Sequence, residues 1–321
     1  MNAWRPSASL EVLATRARLL GTARAFFAER GVLEVETPLL GRATVTDVHL
    51  ASFSARLGGG GAPYFLQTSP EYAMKRLLAA GSGDIYQICK AFRDEPGGRF
   101  HNPEFTLIEW YRVGLDHRAL MDEVEALLVR LLGDRLAAPA ERLSYGEAFR
   151  RVLGVDPFAA PLATLSELAS RRLGADAGTH GDDRDTLLEL LMGALVGPAL
   201  GQRRITFIDA YPASQAALAR LLPGTPATAA RFEAYVDGIE LCNGFHELAD
   251  ADEQRRRFES DLARRRARGL PAVPVDERLL AALAAGLPDA SGVALGLDRV
   301  VMLATGVGSL AAAMPFTVDG A

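Results

Sequence analysis

Lysine is almost missing from this chain. Of 35 basic residues only Lys75 and Lys90 are lysines and 33 are arginines, so nearly all positive charge sits on planar, permanently protonated groups. Cysteine is equally scarce. Cys89 and Cys242 cannot supply a disulfide framework or a cysteine-rich zinc site, and both read as small apolar fillers, which makes a reducing, cytoplasmic setting the expectation. A surplus of positive charge is also lacking. The net charge of -5 excludes attachment to nucleic acid by bulk electrostatics and leaves room only for a local basic patch. Arg5, Glu11, Arg16 and Arg18 leave no apolar leader at the N-terminus, so no signal peptide is expected. The one long uncharged run, 300–318, is interrupted by Gly306, Gly308, Ser309 and Pro315 and predicts a buried helix followed by a loop, not a membrane span. The glycines of 58–61 lack the Gly-Lys-Ser/Thr ending of a phosphate loop and the dinucleotide spacing; they read as a hairpin tip.

What the 321 residues do contain is 49% hydrophobic and 23% charged side chains, enough for a sizeable core. Apolar spacing predicts helices over 12–30, 72–80, 118–132 and 252–268, and a final helix starting at Asp298. Strands are predicted over 32–36, 64–68, 84–93, 105–113, 205–209 and 292–297. Asp237-Gly238 between 231–236 and 239–245 is a strong hairpin signal. The stretch 143–200 is helical and holds no cluster of catalytic residue types. The expectation is one α+β domain over 1–321, an antiparallel sheet flanked by helices, with a helical insertion at 143–200. No regular strand–helix alternation supports a doubly wound fold.

Three groups of residues could carry chemistry. The first is Phe92-Arg93-Asp94-Glu95 with Arg99, His101, Asn102 and Phe105, between two strands; a guanidinium fixed at a strand end can fork onto a phosphate or carboxylate. A salt-bridged hairpin is the bland alternative. The second is Glu233, Glu240, Asn243 and Glu247 on the two arms of the hairpin, where carboxylates brought together repel unless a cation lies between them. The third is Gly292 to Arg299, whose small residues at alternate positions leave a strand face bare beneath a second arginine. His49, His117 and His180 are isolated and read as surface or capping residues. The arginine runs 255–257 and 264–266 read as a solvated helix face, with a partner-docking surface as the sharper alternative.

In chain order these groups resemble the three motifs of the class II aminoacyl-tRNA synthetases, the first motif being the helix–strand unit that ends Gly31-Val-Leu-Glu-Val-Glu-Thr-Pro38. Thr68-Ser69-Pro70-Glu71, His101-Asn102-Pro103-Glu104-Phe105-Thr106 and Glu240-Leu-Cys-Asn243-Gly244-Phe245-His246-Glu247-Leu248 are similar to the lysyl-tRNA synthetases. The first-motif helix begins near residue 12, where no anticodon-binding domain is expected ahead of it. That, with Tyr211-Pro-Ala-Ser-Gln-Ala-Ala-Leu218, resembles the free-standing lysyl-tRNA synthetase paralogues that ligate (R)-β-lysine to elongation factor P.

The resemblance implies ATP and Mg2+ as cofactors, lysine or β-lysine as substrate, elongation factor P as acceptor, no stable nucleic-acid or membrane partner, and a homodimer. It implies that Arg93 and Arg299 are catalytic, and that Asp94, Glu95, Arg99, His101, Asn102, Phe105, Glu240, Leu241 and Gly296 help to bind ATP. Ser69, Pro70, Glu71, Glu109, Tyr111, Asn243, Glu247 and Ala294 would line the amino-acid pocket, and Glu233 and Glu240 would hold the metal. Several carboxylates suit a substrate with two ammonium groups, because each buried cation needs an anionic partner. Two positions depart from the lysyl-tRNA synthetase pattern: Phe100 stands where an arginine usually precedes His101, and Ala294 where glycine is usual. The extra methyl of Ala294 is worth about 1–3 kcal/mol of discrimination and is expected to disfavour α-lysine. A regulatory paralogue that senses an amino acid without chemistry, and an enzyme that aminoacylates a tRNA, are the rival readings.

Overall fold

The computed structural model describes residues 4–58, 61–175 and 183–321; Gly59 and Gly60 of the expected hairpin tip, and His180, lie outside them. The chain opens with α1 (Leu10–Ala28), whose N-terminal amides are capped because the Ser9 side chain accepts from Val12 N, and which buries Val12, Leu19, Ala23, Phe26 and Phe27. Then come β1 (Leu33–Glu34), β2 (Leu40–Gly41), β3 (Ser54–Ala55), β4 (Tyr64–Leu66), α2 (Glu71–Ala79), β5 (Ile85–Phe92), β6 (Glu104–Val113) and α3 (His117–Leu132). The middle holds β7 (Glu141–Ser144), α4 (Tyr145–Leu153), α5 (Leu162–Leu173), α6 (Arg184–Leu191), β8 (Thr206–Pro212) and β9 (Leu221–Leu222). The last part is β10 (Thr228–Val236), β11 (Ile239–His246), α7 (Ala251–Ala267), α8 (Glu277–Gly286), β12 (Ala290–Gly296) and α9 (Leu297–Thr305).

The main sheet runs β1-β5-β6-β12-β11-β10-β8-β7, with β9 added to β10; β2, β4 and β3 form a second, small sheet. The interior pairs of the main sheet are antiparallel, as expected, and at its two edges β1 runs parallel to β5 and β7 parallel to β8. The β10–β11 turn works as its sequence requires: Asp237 and Gly238 both have positive φ, at 49° and 76°. The 300–318 run is the helix α9 followed by irregular chain, and no helix among the described residues is long and apolar enough to cross a membrane. The short strands β2, β3 and β9, and the helix α8, had no expectation in the sequence; two-residue strands have no period to read.

Side-chain alternation across the sheet separates core from cleft. Ile108 and Trp110 of β6, Phe232 and Ala234 of β10, and Val293 and Leu295 of β12 point into the largest core, shared with α1, α3 and α9. There Phe27 stacks on Tyr86 with centroids 4.3 Å apart and meets Trp110 edge-on at 5.3 Å. The intervening residues Glu109, Tyr111, Glu233, Gly292, Ala294 and Gly296 line a cleft on the opposite face. Helices α2 and α8 pack at one end of this face through Met74, Leu78, Leu279 and Leu283, and α4–α6 form a separate apolar cluster with β8 at the other.

A buried polar knot ties the first-motif helix to the rest. Arg16 Nη1 donates to Asp298 Oδ1 at 2.5 Å, Arg16 Nη2 to Thr106 Oγ1 at 2.8 Å, and Thr106 N to Asp298 Oδ2 at 2.6 Å. Asp298 also lies in the first turn of α9, where the helix dipole favours an anion. We expect Asp298→Ala to cost about 3–5 kcal/mol, because Arg16 would be left as an unpaired, mostly buried charge. Denaturant unfolding with an unchanged slope and a lower midpoint is the expected result; an unchanged midpoint would refute the assignment.

Candidate active site

A cavity of about 1120 Å3 runs along the cleft face of the sheet. One end is built from carboxylates. Glu71 opens α2, and Ser69 just ahead of it accepts from Glu71 N at 3.0 Å while donating to Glu109 Oε2 at 2.7 Å. Tyr111 donates its hydroxyl to Glu109 Oε1 at 2.8 Å. Gly292 permits this approach, since a Cβ there would meet Tyr111 at 2.2 Å and Glu247 Oε1 at 2.6 Å. Ala294 sits between Asn243 on β11 and Glu109 on β6 in the strand register, so its methyl projects between two polar pocket residues. Asn243 Oδ1 and Glu247 Oε1 are buried acceptors with no hydrogen-bond partner among the described residues. Burial, aided by the nearby charge of Glu71, pushes the Glu109 carboxyl up to about 7, and burial pushes Glu247 up to about 8.

Lys75, which sequence reasoning passed over, lies behind the carboxylates of this end, against Glu71 and Glu247. Its Nζ is 2.7 Å from Glu71 Oε1 and 2.5 Å from Glu247 Oε2, and its side chain is 1% exposed. Its pKa is raised because the two carboxylates outweigh the desolvation that opposes them. The Glu71–Lys75 spacing of four on a helix was the one sequence signal for it.

The other end is cationic. Arg93 follows β5, with its backbone N–H on Pro103 O at 2.9 Å and its guanidinium over the Phe105 ring at 5.1 Å. Its Nε is buried without a hydrogen-bond partner among the described residues, and burial pulls its pKa below the ordinary value against the opposing charges of Glu240 and Glu95. Arg299, in the first turn of α9, donates from Nη1 to Glu240 O at 2.7 Å and lies 3.7 Å from Glu240 Oε2. Its Nη2 is 3.2 Å from His101 Nε2, and burial together with that cation lowers the His101 pKa, which favours the neutral imidazole. Glu95, Asn102, Leu241 and Gly296 also line this end, Leu241 while burying its side chain in the core.

Not every expected residue arrives. Asp94 and Arg99 are exposed and do not line the cleft: Asp94 alternates outward from Arg93, and Arg99 turns to donate to Gly308 O at 3.0 Å. The Asn102 amide already donates to Glu104 O at 2.5 Å. The two carboxylates expected to hold a metal differ in availability. Glu233 accepts from Arg231 Nη2 and from the Tyr235 hydroxyl, both at 2.6 Å, whereas Glu240 keeps its carboxylate open to the cleft. No group of three or more potential ligand side chains occurs among the described residues. Of the two carboxylates, Glu240 is therefore the one able to receive a cation from the cleft. The arginines of α7 are mostly committed within the chain: Arg255 to Glu277, Arg256 and Arg257 to Glu253, and Arg264 to Asp261.

The mixed sheet with flanking helices and the charged cleft on one of its faces can be set beside known families by sequence comparison. A profile of the class II tRNA synthetases (D, K and N) matches residues 1–319, and the chain belongs to this family. Among its relatives are proteins named elongation factor P–(R)-β-lysine ligase. Those from Salmonella dublin and Salmonella heidelberg (strain SL476) are each 53% identical over 322 residues, covering 99% of this chain and 98% of the relative.

The raised carboxyls give the pocket a pH dependence with a definite sign. As pH rises from 6 through the values of about 7 and about 8 for Glu109 and Glu247, the pocket gains negative charge. Calorimetric titration with a diamino acid should show affinity rising by about tenfold between pH 6 and 8.5; flat or falling affinity would refute the assignment. The same shifts make the unliganded fold less stable as pH rises from 4.5 to about 8, because these carboxyls ionise more easily in the unfolded chain.

Proposed function

We propose that this enzyme uses ATP to activate a lysine isomer, (R)-β-lysine, as the aminoacyl-adenylate and transfers it to a lysine side chain of elongation factor P. The observation that carries the reading is the pair of buried, unpartnered acceptors, Glu247 Oε1 and Asn243 Oδ1, in a cleft whose far end holds Arg93 and Arg299. Buried acceptors of this kind call for donors, and a substrate ammonium supplies them. The names of the relatives, ligases of (R)-β-lysine and elongation factor P, support the same substrate pair.

In the first step a substrate carboxylate oxygen attacks the α-phosphorus of ATP and pyrophosphate leaves. This step needs alignment and charge neutralisation more than proton transfer. Arg93 meets the α-phosphate and the substrate carboxylate, Arg299 grips the outer phosphates, and the Phe105 ring and Glu95 receive the adenine. A magnesium ion at Glu240 would neutralise phosphate charge when bound. Glu71, Glu109, Tyr111, Asn243 and Glu247 hold the two ammonium groups over the floor of Gly292 and Ala294. In the second step the acceptor lysine amine, as the free base, attacks the adenylate carbonyl; an amide bond forms and AMP departs. A homodimer through the first-motif helix–strand unit is part of the same proposal and rests on the resemblance of that motif.

Arg93→Ala and Arg299→Ala should each lower ATP–pyrophosphate exchange by about 10²–10³-fold. Incubation of the wild-type enzyme, ATP and (R)-β-lysine with either elongation factor P or bulk tRNA should add mass to the protein alone. Mass gained by tRNA instead, or no exchange with any lysine isomer, would overturn the reading. Ala294→Gly should raise activation of α-lysine by about tenfold or more, the methyl being worth about 1–3 kcal/mol; an unchanged isomer preference would remove Ala294 from the pocket floor.

A further inference from the structure

Lys75 is the unusual feature of the carboxylate end. It is one of only two lysines in an arginine-rich chain, and it is the one with no exposed surface to solvate its charge. The four-residue step along α2 places it under Glu71, and Glu247 reaches it from the segment after β11, so one ammonium joins two elements that are distant in sequence. Each carboxylate gives Lys75 a single oxygen, Oε1 of Glu71 and Oε2 of Glu247; Glu247 Oε1 is left buried and without a partner. Two carboxylates held this way cannot rotate freely, and the ammonium between them offsets part of the burial and mutual repulsion that raise Glu247.

Charge balance extends the point. Glu71, Glu109 and Glu247 set against Lys75 leave the ionised pocket with two negative charges, the number a substrate with two ammonium groups matches. Without Lys75 the third charge would be buried and uncompensated, and a buried carboxylate in that position takes up a proton instead of binding a cation more tightly.

Resting on the diamino-acid reading of the pocket, we propose that Lys75 is a positioning residue for substrate selection: by bridging Glu71 and Glu247 it presents one oxygen of each to the amino acid and sets the pocket to accept two positive charges. It does not touch the nucleotide end, where Arg93 and Arg299 lie. Loss of Lys75 must therefore act on the amino acid and leave ATP alone, a split that loss of structure would not produce.

The test is Lys75→Met in the full-length enzyme, with two separate readouts. Calorimetric titration with lysine and β-lysine should show binding weaker by about tenfold or more, about 1.4 kcal/mol per decade. The KM for ATP in pyrophosphate exchange should stay within about twofold of wild type, with the circular dichroism spectrum unchanged. Lys75→Gln, which keeps a hydrogen-bonding head without the charge, gives the same readout should the methionine variant fail to fold. Unchanged diamino-acid affinity in a folded variant, or a KM for ATP that rises in parallel, would overturn the proposal. If wild type and variant differ in diamino-acid binding as expected while neither catalyses exchange, the assignment of Lys75 stands and the proposed activity falls.

Discussion

Buried charge that must be matched is the constraint on which the rest of this structure depends. The sheet carries carboxylates at one end of a cleft and guanidinium groups at the other, and each end keeps polar atoms that find no partner among the described residues. Arg93 keeps a buried Nε without an acceptor, and Glu247 and Asn243 keep acceptors without donors. A protein interior tolerates such groups only where something else completes them. On the proposed function, a zwitterion with extra positive charge beside a polyphosphate would complete both ends together. Arg16, which does not line the cleft and bonds both Asp298 and Thr106, shows by contrast a mostly buried cation completed within the chain.

The strand alternation makes this separation possible. On β12 the core-facing Val293 and Leu295 anchor the sheet against α1, α3 and α9, while Gly292, Ala294 and Gly296 keep the other face low enough for a ligand. The same strand pairs with β6 and β11 and so brings Glu109 and Asn243 to either side of Ala294. Small side chains in the centre of a sheet weaken it, and the flanking strands offset that loss through Trp110, Phe232 and their neighbours beneath. The floor of the pocket and the stability of the fold are thus opposite faces of one strand.

Much of this was legible in the sequence, and the reasons it was or was not are physical. The α+β class and the β10–β11 hairpin followed from strand spacing and from Asp237-Gly238, a pair with little conformational choice. The bringing together of Arg93 and Arg299, over two hundred residues apart, could not be read from spacing; it came from the resemblance of three motifs taken in order. Asp94 and Arg99 came from the motif resemblance; that they face away from the cleft depends on loop geometry, which a motif match does not encode. Glu233 was expected to hold a metal with Glu240; its bonds to Arg231 and Tyr235, two residues away on the same strand face, are contacts for which a sequence offers no sign. The parallel edges of the sheet depend on crossovers that local pattern does not encode.

Lys75 was missed for a different reason, and it carries the last point. A lysine four residues after a glutamate on a helix is ordinarily a solvated surface pair worth a few tenths of a kcal/mol. Burial changes that value, and burial belongs to the tertiary structure. Arginine, the cation this chain uses elsewhere, presents a broad planar fork; an ammonium is compact and can lie between two carboxylates. A guanidinium would occupy both oxygens of one carboxylate, whereas the ammonium takes a single oxygen from each of two. Only the second arrangement holds two glutamates in place and still leaves them able to receive another cation, so the scarce residue stands where its geometry, not merely its charge, is required.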